Sequence, residues 1–325
     1  MKLATYRSGG ALRVGAVIDS ETRVLDLAGA ARADGGDGEP FRTMLDLIDA
    51  GPAGLESAAR LTERYGDEAA FTVPVNEAAL KAPLPLPRQI RDFSVFPGHI
   101  RQAPAGMQKL KARLAGEPVP DLQPSNDIPA VYRSQPVYYL SNRFSVAGPG
   151  ATVTWPGYSR FMDFELELAA VIGRTGKDIG AAAAAGHIFG YTIYNDFSAR
   201  DAQLIEMQGF LGPAKGKSFD GGNAFGPWIV TSDEIAGPDS LEMRAQVNGA
   251  LWSEGSTADM LHSFEDMIAF VSRGETIHAG EIFGSGTIGN GCGLEQDRYL
   301  EDGDIVELEI EKIGVLRNRV VRDER

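Results

Sequence analysis

Acidic and apolar residues alternate in the segment DFELELAAVIG, which covers residues 163–173. If this segment is a strand, its period of two places Glu165 and Glu167 on the same face. The segment 307–311 repeats the same alternation of glutamates with apolar residues, and there a solvated sheet face is the simplest interpretation. The pattern of paired glutamates is therefore ambiguous when it is taken alone.

The two segments have different C-terminal continuations. The first glutamate pair continues into the apolar run AAVIG and then into a second apolar strand, YTIYND, which ends at Asp196. If these strands are neighbours, Glu165, Glu167 and Asp196 converge at the edge of a core, where like charges need compensation. Oxygen donors without nearby His or Cys favour Mg²⁺, Mn²⁺ or Ca²⁺ over zinc. The residues therefore predict a divalent-metal site at this edge of the core.

Further polar residues come shortly after Asp196. Arg200 and Gln203 lie on a predicted helical turn, and Lys215 and Lys217 are predicted to point to one side of an extended segment. A lysine near a metal could stabilise an enolate or a carboxylate. For each residue taken singly, an ordinary surface charge remains the alternative.

Four histidines are available as proton carriers. His187, His262 and His278 are interpreted as structural from their positions at a junction, on a helix and beside Ala-Gly. His99 lies between a proline-rich connector and a predicted lid, a location that suits a general base placed by lid closure.

The glycine-rich segment GSGTIGNGCG, residues 284–293, could approach a ligand closely or form an anion-binding nest. A tight β-turn is an equally good interpretation, and the segment lacks the patterns of nucleotide-binding loops. Cys292 has no evident activating partner in the sequence and is not predicted to be a nucleophile.

Composition excludes several classes of function. The 325 residues include 31 Lys and Arg against 45 Asp and Glu, a formal net charge of −14, which disfavours nucleic acid and anionic membranes as partners. A small anionic substrate remains compatible with a local cationic cluster. No apolar run approaches the roughly 18 residues of a membrane span, and the first residues do not resemble a signal peptide. The single cysteine fits a reducing compartment, so a cytoplasmic location is predicted.

A proline-rich segment divides the chain into two predicted parts. Residues 1–80 are predicted to form a small α/β module, with two short helices between 44 and 66. The segment KAPLPLPRQI, residues 81–90, predicts an extended connector that opens a catalytic domain over 81–325. Residues 104–136 are predicted to be irregular apart from a basic helical piece, and the region 98–136 is interpreted as a lid, with a surface insertion as the alternative.

Short strands dominate after residue 137. One amphipathic helix is predicted over 259–274, with Ser256 and Asp259 as a capping pair and Gly274 as its end. A second, short helix is predicted to run into a strand over 181–190. Many short strands with few helices predict an α+β, mainly β fold.

Several of these segments together resemble the fumarylacetoacetate hydrolase family: DFELELAAVIGRTGKDI, GHIFGYTIYNDFSARDAQ, GPAKGKSFD, GPWIVT, SGTIGNGCGLE and GDIVELEIEKIG. The resemblance covers about residues 83–320 in the family's order and approximate spacing. It implies a mixed β-sandwich roll, which longer bacterial members combine with a small N-terminal module. It also implies a homodimer.

The same resemblance implies roles for individual residues. Glu165, Glu167 and Asp196 would bind Mg²⁺ or Mn²⁺, and Asp92, seven residues before His99, would add a further metal ligand. His99 and Glu295 would activate a water that attacks a carbonyl, while Lys217 and the metal hold the enolate product. Arg200, Gln203 and Thr287 would contact the substrate.

The resemblance favours hydrolysis of a C–C bond in an acylpyruvate-type acid. A decarboxylase, an isomerase or a dehydratase of 2-oxo acids would use the same metal enolate. Gln102 argues against the decarboxylase, because the short decarboxylase members have a glutamate there. Ser94 and the segment 220–223 also depart from the family pattern, so no relative's substrate is carried over. A metal-stabilised binding protein is the alternative from outside the enzymes, although retention of both His99 and Glu295 argues against it.

Overall fold

The computed structural model describes residues 1–235 and 237–323. Most of its helices are short: α1 (Leu27–Ala33), α2 (Met44–Tyr65), α3 (Pro97–Ala115), α4 (Ala130–Ser134), α5 (Ala181–Ala184), α6 (Arg200–Glu206), α7 (Phe264–Ser272) and α8 (Gly293–Gln296). Strands are more numerous: β1 (Lys2–Ser8), β2 (Ala11–Ile18), β3 (Arg23–Asp26), β4 (Thr72–Pro74), β5 (Ala79–Lys81), β6 (Gln89–Phe93), β7 (Tyr138–Ser141), β8 (Val146–Ala147), β9 (Thr152–Trp155), β10 (Met162–Asp163), β11 (Leu166–Ile172), β12 (Gly176–Lys177), β13 (Ile188–Asp196), β14 (Ser198–Ala199), β15 (Asn223–Thr231), β16 (Glu242–Val247), β17 (Ala250–Ser256), β18 (Thr276–Ile277), β19 (Glu281–Gly284), β20 (Ile305–Ile310) and β21 (Gly314–Arg322).

Two sheets enclose the main core. Within the described ranges, twelve strands form one mixed sheet in the order β4-β3-β2-β1-β15-β13-β11-β19-β6-β7, with β5 beside β1 and β8 beside β15. A five-stranded sheet has the order β17-β16-β20-β21-β9. Apolar residues of both sheets, such as Leu168 and Ile193 of the first and Met243 and Leu308 of the second, share one buried cluster. The predicted α+β, mainly β class is confirmed.

The N-terminal residues join the large sheet directly. Strand β1 pairs antiparallel with β15, with Leu3 opposite Ile229, and α1 and α2 cover this part of the sheet. The two helices predicted between 44 and 66 lie end to end within α2, separated at Gly51, which has φ 58°. The boundary at residue 80 therefore does not interrupt the sheet, and the two-part division stays a prediction.

The basic helical piece predicted within residues 104–136 is confirmed, but its helix begins earlier than predicted. Helix α3 begins at Pro97, a favoured first position, and continues through Pro104 to Ala115. It ends at Gly116, whose φ of 70° is the left-handed conformation typical of helix ends. Residues 117–129 contain neither helix nor strand. His99 consequently lies in the first turn of a long helix.

Helix α7 starts later than the pattern predicts. Ser263 is its N-cap: its hydroxyl accepts from the Asp266 amide at 3.2 Å, and Asp266 accepts from the Ser263 amide at 3.0 Å. The predicted cap Ser256 instead accepts from the Ala258 amide and caps a separate 3₁₀ turn. The sequence contains the capping spacing twice, and the reciprocal bonds form at the second copy. The predicted α5-to-β13 transition over 181–190 is confirmed.

No helix among the described residues has the length and apolar character needed to cross a membrane.

Candidate metal centre and active-site cleft

Four carboxylates meet on the neighbouring strands of the large sheet. Asp92 lies on β6, Glu167 on β11 and Asp196 at the end of β13, while Glu165 directly precedes β11. All four are buried, and one oxygen atom of each lies within 4.8 Å of the others. The structure thus brings together the three carboxylates predicted from the strand pattern and the aspartate implied by the resemblance.

The glutamates of this cluster differ in burial from those of the similar segment 307–311. Glu165 and Glu167 are 6% and 1% exposed, because β13 and β19 flank β11 on both sides. Glu309, in the same pattern on β20, is exposed, and Glu307 is half-buried. The interpretation of residues 307–311 as a solvated face is confirmed for Glu309.

Cations compensate part of the cluster's charge. The Lys217 ammonium donates to Glu165 Oε2 at 2.7 Å and also to Asp196. Arg200 Nη1 lies 2.7 Å from Glu165 Oε1, and the Tyr139 hydroxyl donates to Asp196 Oδ2 at 2.5 Å. These two cationic side chains contact Glu165 and Asp196 but not Asp92 or Glu167, so the charge of the cluster is only partly compensated.

The electrostatics divide the carboxylates into two kinds. Burial, reinforced by neighbouring carboxylates, raises the pKa of Asp92 and Glu167 well above the ordinary range, and burial also raises the pKa of Asp196. Burial would raise the pKa of Glu165 too, but Lys217 and Arg200 outweigh it and hold this pKa below its usual value. The charged form is thus disfavoured at Asp92, Glu167 and Asp196, where burial outweighs the neighbouring charges, and favoured only at Glu165, which two cations contact.

The cluster fits a divalent cation. One oxygen on each of three carboxylates is buried without a hydrogen-bond partner: Asp92 Oδ1, Glu167 Oε1 and Asp196 Oδ1. Leaving such atoms unpaired inside a protein is costly, and a cation coordinated by all of them would satisfy each one. The donor set consists of oxygens only, as Mg²⁺, Mn²⁺ and Ca²⁺ prefer.

Gly284 on β19 keeps the space beside the cluster open. A Cβ at this position would lie 2.9 Å from Asp92 Oδ1 and from Glu167 Oε2, and 2.8 Å from Cδ1 of Tyr194. We expect Gly284→Ala to lower the free energy of unfolding by about 1–3 kcal/mol through overpacking and to weaken Mn²⁺ binding. Denaturant unfolding and Mn²⁺ titration measure the two effects.

Gly180 provides the matched control for that substitution. It has a φ of −73°, and a Cβ there would meet nothing within 4 Å. Gly180→Ala should leave both the unfolding free energy and Mn²⁺ affinity close to those of the wild type. Equal effects of the two substitutions would contradict a specific role for the space at Gly284.

A histidine and a glutamate face each other beside the cluster. His99 Nδ1 on α3 lies 3.3 Å from Glu295 Oε1 on α8, and the Glu295 side chain is 0% exposed. The pair is close but not aligned as a hydrogen bond, so both facing atoms lack a hydrogen-bond partner. Glu295 Oε2 accepts from the Cys292 amide at 3.3 Å, which fixes the carboxylate.

A cleft of about 440 Å³ opens beside His99. Its polar lining includes His99, Arg200 and Gln203, and its apolar lining includes Ile100 and Met107. Arg200 Nη1 donates to Gln203 Oε1 at 2.9 Å, while Arg200 Nη2 is buried without a partner. Because Arg200 also contacts Glu165, the cleft and the acidic cluster adjoin.

The other predicted residues have mixed outcomes. Thr287 is buried, and its hydroxyl lacks a hydrogen-bond partner; it is next to Gly286, whose amide donates to Glu167 Oε2 at 2.9 Å. The predicted common direction of Lys215 and Lys217 is wrong: Lys215 is exposed, with its ammonium 5.0 Å from the Tyr158 ring. A turn closed by the Lys217 amide and the Ala214 carbonyl separates the two side chains.

The remaining histidines and the cysteine lie as the sequence indicates. His187 Nδ1 contacts the Arg174 carbonyl at 2.8 Å, and His262 Nε2 contacts the Tyr132 carbonyl at 2.7 Å. His278 is exposed. Burial raises the pKa of the Cys292 thiol well above its usual value, as expected for a cysteine that is not an activated nucleophile.

Sequence reasoning missed Asp163. This buried carboxylate accepts from Arg200 Nε at 2.8 Å and from the amides of Gly293 and Leu294 at 2.7 and 2.8 Å. It therefore joins Arg200 to the start of α8, which carries Glu295. The available signal was its place at the head of the DFELEL run, immediately before an apolar strand.

Known proteins resemble this chain over most of its length. A family model described as fumarylacetoacetate (FAA) hydrolase C-terminal matches residues 106–321. The oxaloacetate tautomerase YisK of Bacillus subtilis strain 168 is 30% identical to this chain over 98% of the chain and 100% of the relative.

Two solved structures extend the comparison to the fold. A probable 2-hydroxyhepta-2,4-diene-1,7-dioate isomerase from Mycobacterium abscessus aligns over 100% of both chains with a TM-score of 0.72 and 26% identity. A maleylpyruvate hydrolase from Sphingobium sp. SYK-6, solved with manganese(II) and pyruvate, also aligns over 100% of both chains, with a TM-score of 0.72 and 24% identity. This last likeness concerns the fold alone.

Proposed function

The chain belongs to the fumarylacetoacetate hydrolase family, and on that basis we propose that it is a divalent-metal-dependent tautomerase. Its substrate would be a small 2-oxo dicarboxylic acid such as oxaloacetate, whose keto and enol forms it interconverts. The observation that carries the proposal is the acidic cluster with unpartnered oxygens, beside a cleft that contains a histidine. The names of the full-length relative and of the Mycobacterium abscessus neighbour describe proton shifts, which supports tautomerisation over bond cleavage.

Asp92, Glu165, Glu167 and Asp196 would hold Mg²⁺ or Mn²⁺. When bound there, such an ion supplies a Lewis acid that polarises the 2-oxo group and stabilises the enolate. Ca²⁺ also accepts an all-oxygen donor set.

His99 would carry the proton. Its Nδ1 faces Glu295, which leaves Nε2 for the cleft. His99 takes a proton from the carbon next to the carbonyl, and Glu295 stabilises the resulting imidazolium. The proton is then returned to the enolate oxygen, so one C–H bond breaks, one O–H bond forms, and nothing leaves the substrate.

Lys217 would stabilise the developing negative charge. An ammonium group has three donors, of which two are engaged by Glu165 and Asp196. The third is available to the enolate oxygen, and a buried cation needs no reorganisation at the moment of reaction.

Arg200 and Gln203 would bind a substrate carboxylate. Both line the cleft, and the unpartnered Nη2 of Arg200 matches the charge-assisted hydrogen bond that a carboxylate accepts. The unpartnered hydroxyl of Thr287 offers a further contact. A cleft of about 440 Å³ has the size of a small-molecule site.

Hydrolysis of a C–C bond in an acylpyruvate-type acid is the second candidate. The facing, unpartnered atoms of His99 and Glu295, 3.3 Å apart, favour it, because such a pair would activate a water bound beside the imidazole for attack on a carbonyl. The same pair argues against a binding protein without catalysis.

The two candidates are distinguished by one assay set. The purified protein, supplied with Mg²⁺ or Mn²⁺, is given the enol form of oxaloacetate and, separately, a panel of acylpyruvates, and each reaction is monitored by ultraviolet absorption and product analysis. We expect faster loss of enol-oxaloacetate absorption without release of pyruvate. Pyruvate release from acylpyruvates with no effect on the oxaloacetate enol would replace tautomerisation with hydrolysis.

The homodimer implied by the family resemblance is carried forward as part of the proposal. Phe210 and Leu211 follow shortly after Gln208, which lines the cleft, and are 95% and 97% exposed. A second subunit would cover such apolar surface. Light scattering of the purified protein tests this. The cytoplasmic location stays a prediction.

A further inference from the structure

A second group of potential metal ligands lies beside the acidic cluster. It consists of His99 on α3 with Cys292 and Glu295 at the start of α8, and one ligand atom of each lies within 4.8 Å of the others. His99 Nδ1 is 3.3 Å from Glu295 Oε1, and Cys292 Sγ is 3.4 Å from Glu295 Oε2. The thiol, the imidazole and the carboxylate thus converge on one point from two helices.

Unpartnered atoms face that point. Glu295 Oε1 and His99 Nδ1 are buried without a hydrogen-bond partner, and the Glu295 side chain is 0% exposed. An anionic oxygen and a ring nitrogen in this position can share a proton, or both can bind a cation.

The spacing of the three side chains suits a zinc ion. Zinc binds sulfur at about 2.3 Å and nitrogen or oxygen at about 2.0–2.2 Å, so ligand atoms around a tetrahedral ion are roughly 3.3–3.7 Å apart. His99 Nδ1 lies 3.3 Å from Glu295 Oε1 and Cys292 Sγ lies 3.4 Å from Glu295 Oε2, so each side chain is at ligand spacing from one oxygen of the same carboxylate. Three protein ligands leave the fourth position open, and His99, which lines the cleft, gives that position access to small molecules.

We propose that His99, Cys292 and Glu295 form a second metal site, selective for soft ions such as Zn²⁺ and Cd²⁺, and that its occupation stops turnover. Selectivity arises from the donors: thiolate and imidazole favour Zn²⁺ and Cd²⁺, whereas the oxygen-only cluster nearby favours Mg²⁺ and Mn²⁺. On binding, a metal–sulfur bond forms and the thiol proton is released to solvent.

Inhibition is a consequence of the histidine tautomer. A metal on Nδ1 occupies that lone pair, so a neutral ring carries its proton on Nε2. Nε2 faces the cleft and then has no lone pair with which to accept a proton. The metal also removes Glu295 from its role beside the imidazole.

Binding is tested without reference to activity. Cys292 is the only cysteine in the sequence, so ultraviolet thiolate-to-cadmium charge-transfer absorption in the Mg²⁺-saturated protein reports this residue alone. We expect the absorption to saturate at one Cd²⁺ per chain, to be absent in Cys292→Ser, and to require at least tenfold more Cd²⁺ in Glu295→Gln and in His99→Ala. Absence of the band in the folded wild type would overturn the site. So would a Cd²⁺ affinity in Glu295→Gln and His99→Ala equal to that of the wild type.

Inhibition is tested by titrating Zn²⁺ against turnover in excess Mg²⁺, each protein compared with its own zinc-free rate. The concentration for half-inhibition should rise at least tenfold in Cys292→Ser, and equal sensitivity of both proteins would overturn the inhibitory role. This arm rests on the proposed function, but the cadmium absorption does not. A cadmium band in a protein that turns over no 2-oxo acid would count against the proposed function and leave the metal site standing.

Discussion

Replacing Glu167 with glutamine is expected to abolish Mn²⁺ binding and turnover while leaving the metal-free protein at least as stable as the wild type. Glu167 Oε2 accepts from the Gly286 amide at 2.9 Å, a bond that the glutamine oxygen retains, and Glu167 Oε1 has no hydrogen-bond partner. The substitution removes one of four carboxylates packed within 4.8 Å, so it relieves repulsion in the absence of metal. It also removes a charged ligand that metal binding needs.

The expected loss of metal affinity is more than about 100-fold, because even outer-shell partners of metal ligands are worth 10–100-fold. Calorimetric titration with Mn²⁺ measures it, and thermal unfolding in a chelator measures the stability. Glu309→Gln is the matched control: it makes the same chemical change in the same sequence pattern, at an exposed position on β20. Unchanged Mn²⁺ affinity in Glu167→Gln, or equal losses in both variants, would contradict the assignment.

Replacing His99 with glutamine is expected to reduce kcat by roughly 10²–10⁴-fold, the usual contribution of a positioned general acid or base. Mn²⁺ affinity should remain within about twofold of the wild type, a marginal change on the scale of metal-ligand effects, because His99 is not a ligand of the acidic cluster. Steady-state kinetics on the enol of oxaloacetate, with Mn²⁺ titration of the same preparation, separates the two quantities.

His278→Gln provides the control for that prediction, since His278 is exposed and is not among the residues that line the cleft. Its kcat should equal that of the wild type. If His99→Gln retained full activity, proton transfer by the His99–Glu295 pair would be excluded, and the base would have to be sought elsewhere along the cleft. Loss of Mn²⁺ binding in His99→Gln would instead place His99 at the metal.

The metal centre was only partly predictable from the sequence. Glu167 and Glu309 occupy the same alternating pattern, and no local propensity distinguishes them. They differ because β11 lies between β13 and β19 in the large sheet, whereas Glu309 on β20 is exposed to solvent. Strand order is a tertiary property, so the apolar continuation after Glu167 could only suggest that three carboxylates converge, and Asp92 was indicated by the resemblance alone.

The wrong predictions have local physical causes. Pro104 opens the stretch predicted to be irregular, yet α3 passes through it. A second, earlier copy of the capping spacing at Ser256 hides the true start of α7. The sequence around Lys215 and Lys217 suggests extended chain, but a turn at Ala214 sends the two side chains in different directions.

Asp163 escapes prediction for a different reason. Its partners are Arg200 and the amides of Gly293 and Leu294, which are distant in sequence and have no pattern linking them to it. Side chains that position other functional groups, as Asp163 positions Arg200 and the start of α8, therefore emerge from three-dimensional contacts more than from spacing.

The central claim is that the cluster of Asp92, Glu165, Glu167 and Asp196 binds one divalent cation that turnover requires. Its most direct test is a titration of chelator-treated protein with Mn²⁺, in which free Mn²⁺ is measured by electron paramagnetic resonance and turnover of enol-oxaloacetate is measured on the same samples. We predict that free Mn²⁺ stays low until one ion per chain has been added, that turnover rises in parallel, and that Glu167→Gln shows neither effect. Full turnover by the metal-free protein, or stoichiometric Mn²⁺ binding that persists in Glu167→Gln, would contradict the claim.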